Sequence, residues 1–100
     1  MSCSDNTFTK QIYEEFTIKA DFGVNFATGE TIATHTVTAV DNAGTAITSI
    51  LGTTAIVGTD QISAIVKAGT VALSPFIITF KAVTSTGAKW QFDVNMVVKT

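Results

Sequence analysis

One hundred residues with a net charge of −2 are enough for one domain around one core and not for two. The six Lys are scattered and there is no Arg, so the clustered basic footprint of a nucleic-acid binder is missing. No apolar run approaches the ~20 residues that a bilayer-spanning segment needs, so no membrane partner is expected.

Eighteen Thr, ten Val and ten Ile make 38 of the 100 positions β-branched, a bias that suits strands and crowds helices. Only three Glu and two Leu are present, and no window keeps a 3.6-residue apolar period, so almost no helix is expected. A single cysteine, Cys3, allows no internal disulfide and has no neighbour to lower its pKa. The start, "MSCSDNTFTK", lacks a basic stretch followed by an apolar one, which points to synthesis and residence in a cytoplasm-like space.

Residues 1–11 are polar and aperiodic and read as a flexible N-terminal arm that orders only against a partner, with residues 12–100 forming the domain. In "EFTIKADF", Phe16, Ile18, Ala20 and Phe22 alternate with Thr17, Lys19 and Asp21, a strand with one dry face. "DFGVNFATGETI" then reads as a crossover corner, in which Gly23 and Gly29 supply positive φ and Val24 and Phe26 fold back to plug the open end. "TIATHTVTAVD" predicts a strand with Ala33, His35, Val37 and Ala39 on one face and Thr34, Thr36 and Thr38 on the other. "DNAG", Asp41 to Gly44, predicts a chain reversal. "TAITSIL" and "TAIVG" predict two short strands separated by Gly52, and "QISAIVKAG" a third with Ile62, Ala64 and Val66 inward.

Pro75 marks a strand start. "PFIITFKAVT" and "KWQFDVNMVVK" flank the turn "STGA" and form a hairpin, with Phe76, Ile78, Phe80 and Ala82 on the dry face of one arm. Trp90, Phe92, Val94, Met96 and Val98 make the dry face of the other. Seven or so short strands and turns every eight to twelve residues predict an all-β fold, an immunoglobulin-like antiparallel β-sandwich with no disulfide.

Chemistry is sparse in this chain. His35 is the single histidine and has only threonines nearby in sequence, so no catalytic residue is assigned and no enzyme is expected. One His and one Cys do not make a zinc site. Asp21, Glu30 and Asp41 lack the acidic loop repeat of a calcium site, so no metal and no cofactor is expected. "GTD" and "STG" lack the spacing of a phosphate cradle. Trp90 is in phase with the core face rather than displayed as a sugar platform. The candidate contact surface is Thr34, Thr36 and Thr38, a flat and uncharged row that does little to discourage pairing.

From about Phe16 to Val98 the order of motifs resembles small tailed-bacteriophage virion proteins with an immunoglobulin-like fold, of the fibre-tail adaptor type. The resemblance is carried by "DFGVNFATGETI" and the Thr-rich strand after it, by "DNAGT" and "VKAGT", and by "FIITFKAVTSTG" with its closing "WQFDVNMVV". The pattern departs at Val37 and Phe76, where family members often carry Trp or Tyr, and it transfers no binding residues. It implies a non-enzymatic structural protein of the neck or tail region with an adaptor or connector role. Its partners would be other virion structural proteins, with self-assembly open to it, and its location the virion, assembled in the bacterial host cytoplasm. The alternative is an adhesion or carbohydrate-binding module of a bacterial surface protein.

Overall fold

The computed structural model of the chain describes residues 2–23, 26, 28–67 and 74–99, with side chains from Thr7 onward. Its strands are β1 Ser2–Gln11, β2 Phe16–Asp21, β3 Ile32–Val40, β4 Leu51–Val57, β5 Gln61–Val66, β6 Phe76–Thr84 and β7 Lys89–Lys99. They form a four-stranded sheet, β1-β7-β6-β3, facing a three-stranded sheet, β2-β5-β4. No α-helix occurs among the described residues.

The alternation of β6 dictates the core. Phe76, Ile78 and Phe80 are fully buried, and each pairs with an inward residue of β7: Met96, Val94 and Phe92. From the other sheet Ile62, Ala64 and Val66 meet them, each at 0% exposure. A one-residue slip of the β6–β7 hairpin would turn this whole set to water, so the register is strongly specified. At the open end Phe22 stacks on Phe26, with centroids 6.4 Å apart, and meets the edge of Phe92 at 6.3 Å. Phe26 is thereby the plug that the sequence predicts, since burying such a ring is worth ~2 kcal/mol. Val24 and the "AGT" of "VKAGT" lie outside the described residues.

Several elements differ from expectation. The stretch read as an arm, residues 1–11, is from Ser2 onward a strand parallel to β7, running in register from Ser2–Gln91 to Gln11–Lys99 with a shift between Cys3 and Asn6. The sandwich therefore begins ahead of residue 12. Backbone pairing to β7 accounts for this, because only Phe8 and Lys10 of the described side chains turn inward and the stretch shows little hydrophobic period. Of the two expected short strands, "TAITSIL" is loop and turn up to Ile50, with a single bridge from Ala46 to Val40, and "TAIVG" falls in β4, which starts at Leu51 and has a register shift between Leu51 and Thr54 around Gly52. A β-bulge at Ala33 leaves it exposed rather than on the dry face: Ile32 pairs with Thr84 and Thr34 with the adjacent Val83.

The two glycines of the corner differ in what they supply. Gly29 sits at φ +82°, whereas Gly23 does not have the expected positive φ, and a Cβ there would run into Asp60 Oδ2, so that the carboxylate would have to move aside.

Candidate contact surface

Thr34, Thr36 and Thr38 stand exposed on the outward side of β3, an edge strand of the four-stranded sheet. They pair with Val83, Lys81 and Thr79 of β6, and the next residues across, on β7, are Lys89, Gln91 and Asp93. Charge therefore begins one strand in from the edge. Thr34, Thr36, Lys81, Lys89 and Gln91 line a shallow depression of about 700 Å³ on this face.

His35 points the other way, between the sheets, where its Nε2 lies 3.3 Å from the Thr54 hydroxyl of β4. An imidazole beside a hydroxyl is part of a nucleophilic site, but a third group must orient the base. Among the described residues no carboxylate is hydrogen-bonded to His35. The pair joins the edges of the two sheets.

The acidic side chains serve separate loops. The Asp41 carboxylate accepts from the N–H groups of Ala43 (2.9 Å) and Thr45 (3.0 Å) and shapes the predicted reversal, after which Ile47 N–H bonds back to the Ala39 carbonyl at 3.0 Å. Asp21 accepts from Gly23 N–H at 2.8 Å. Glu30 accepts from the hydroxyls of Thr84, at 2.6 Å, and Thr86. Beside it Ser85 N–H donates to the Thr31 carbonyl at 2.8 Å. The "GETI" corner is thus tied to the β6–β7 turn. Among the described residues no group of three or more His, Cys, Asp or Glu could hold a metal ion.

Three features escape a sequence reading. Lys10 is 1% exposed, and its ammonium donates to the carbonyls of Gln11 (2.9 Å), Ile12 (3.3 Å) and Glu14 (2.8 Å), capping the β1–β2 turn from inside. Burial holds its pKa below the ordinary lysine value, against the opposing pull of Glu14 and Glu15. Its only signal was a lysine at an alternating position of a polar stretch. On the same turn Tyr13 is 93% exposed, with Ile12 and Phe16 partly exposed beside it. Trp90 packs against the core as its phase predicts, but its Nε1 is sealed from water without an acceptor among the described residues.

No protein-family profile matches the chain, and no curated protein matches it in sequence. Solved structures do match in shape. Titin domain M7 aligns with a TM-score of 0.59 at 10% identity, covering 95% of this chain and 87% of that one. Titin domain M1 aligns at 0.58 and 11% identity, covering 98% and 90%, and titin domain M3 at 0.56 and 9% identity, covering 99% and 90%. The fold is immunoglobulin-like. At such identities the likeness concerns the fold alone, as does the predicted seven-strand sandwich that it matches. β1 lies with β7 in the four-stranded sheet, which departs from the constant-type arrangement, in which the first strand joins the other sheet.

Proposed function

We propose that this immunoglobulin-like domain is a non-enzymatic structural module working by protein–protein contact, and that its setting is a bacteriophage virion, in the neck or tail region, as an adaptor or connector. The observation that carries the contact reading is the row Thr34, Thr36 and Thr38: exposed, uncharged and on a sheet edge, it lacks the charges with which edges are normally blunted. The virion setting rests on the resemblance of the corner, turn and hairpin motifs described above. Other virion structural proteins are the partners this reading implies, and assembly takes place in the bacterial host cytoplasm.

The experiment is immunogold labelling of purified particles of the phage that encodes the chain, together with particles grown with Thr36→Lys. Gold at the neck or tail, and its loss with a Thr36→Lys chain that still folds, are the expected results. Unlabelled particles overturn the virion setting, and undiminished incorporation of Thr36→Lys overturns the role of the threonine row.

A further inference from the structure

The sandwich has four strand edges, and three of them carry a recognised obstacle to pairing with another chain. β1 has a register shift and an inward lysine, Lys10. β2 carries Lys19 and Asp21. β4 is broken by the shift around Gly52. β3 has nine residues, Ile32–Val40, with no Lys, Arg, Asp, Glu, Pro or Gly, and its one irregularity is confined to the Ala33 end.

The backbone defines how much of that edge is open. The Ala39 carbonyl points away from β6, since it accepts from Ile47 N–H. In an antiparallel ladder a residue's N–H and C=O point the same way and alternate every second residue, so Val37 and His35 also present theirs to the free side. Ala46 and Ile47 cover the Val40 end. Among the described residues the open window is therefore Thr34 to Thr38.

That window is self-complementary. We propose that it pairs with the same window of a second copy, antiparallel about a two-fold axis at Thr36, joining two four-stranded sheets into one of eight strands. The inference rests on the contact reading above and names the partner. Pairing about Thr36 sets His35 opposite Val37 of the second copy, so that the residues whose N–H and C=O groups face outward exchange four hydrogen bonds. It sets Thr36 opposite Thr36 and Thr34 opposite Thr38 in the closer, non-hydrogen-bonded positions, where Thr–Thr pairs are favourable. Centres at His35 or Val37 would keep the alternation of free backbone groups but pair only two of the three threonines with threonine; the centre at Thr36 pairs all three. A two-fold contact uses one patch twice, which needs no complementary charge, and this edge has none to match. Five residues form a small interface, so the dimer depends on concentration and is reinforced where copies are held close.

Site-directed cross-linking tests this. Residues in a non-hydrogen-bonded pair have Cα atoms about 4.5 Å apart, within disulfide reach. In a Cys3→Ser background, Thr36→Cys is expected to form a covalent dimer under mild oxidation much faster than Thr53→Cys, an exposed position on the β4 edge. Sedimentation equilibrium should show a monomer–dimer association that Thr36→Lys weakens about fivefold or more, by opposing like charges at the axis. Circular dichroism confirms that each variant is folded. A single-chain mass at every concentration, with Thr36→Cys cross-linking no faster than Thr53→Cys, overturns the pairing. If Thr36→Lys nevertheless loses its place in particles, the contact reading survives with a different partner. If particles are also indifferent to Thr36→Lys, both fall.

Discussion

Glu30 and Thr84, 54 positions apart in the chain, meet at 2.6 Å, the threonine hydroxyl donating to the carboxylate. Thr84 is 3% exposed, and Ala88 N–H donates to the same hydroxyl at 3.1 Å, so one small network holds the start of β3 against the β6–β7 turn. That turn in turn fixes the hairpin carrying most of the core.

Removing the carboxylate takes away the charged acceptor of the buried Thr84 hydroxyl, which among the described residues keeps only the Thr86 hydroxyl at 3.1 Å as an acceptor, and a hydrogen bond to a charged group contributes roughly 1.5–3 kcal/mol. Glu30→Ala is therefore expected to cost ~2 kcal/mol in urea unfolding with an unchanged denaturant slope. Glu30→Gln keeps an acceptor and should cost less. A loss for Glu30→Ala no larger than that for Thr28→Ala, an exposed neighbour, would show that the tie is incidental.

Why the fold was legible and this network was not follows from what each depends on. The dry faces of β2, β5, β6 and β7 are written at two-residue spacing, as in Ile62, Ala64 and Val66, and survive any loop geometry. The Glu30 tie needs two turns brought together by the whole topology, and nothing in "TGETI" or "TSTG" announces the other. β1 is hidden differently: a parallel edge strand held through its backbone shows little side-chain period. The bulge at Ala33 shows how one extra residue defeats parity counting locally while leaving Thr34, Thr36 and Thr38 on the outward face as expected.

Trp90 gives a prediction about chemistry rather than size. Its indole N–H is buried without an acceptor among the described residues, a state costing about 1–3 kcal/mol. Trp90→Phe removes that cost along with part of the ring, so thermal unfolding should shift little in either direction. Trp90→Ala loses the packing against the core as well and should cost ~3 kcal/mol. Equal losses for the two variants would mean that the N–H finds a partner in solution.

Lys10 makes stability depend on alkaline pH. Its folded pKa lies below the ordinary 10.5, so between the two values the unfolded chain holds more protons and folding becomes more favourable as pH rises. Below that window the burial penalty is fully present; above 10.5 it is gone. Glu14 and Glu15 are the charged groups that oppose the shift. Lys10→Met lacks this dependence. The stability of the natural chain should therefore rise relative to Lys10→Met as pH is raised from neutral towards 10.5, in paired urea titrations. A constant difference would mean that the ammonium is solvated in both states.

Deleting residues 1–11 is expected to do more than trim a tail. It removes Phe8, which meets Phe16 at 5.8 Å and packs against the core, and it removes the Lys10 cap. It also uncovers the 11-residue edge of β7, whose inward residues include Val94, Met96 and Val98. A long, uncapped edge with an apolar face is a template for other chains. The shortened protein should therefore unfold at a lower temperature and scatter light on concentration, and a synthetic peptide of residues 1–11 added in excess should reverse both by refilling the edge. The peptide separates the two roles of β1. If it restores solubility but not the unfolding temperature, β1 acts as a cover alone; if the deletion unfolds as the full chain does and stays monomeric, β1 contributes nothing that the remaining six strands do not supply.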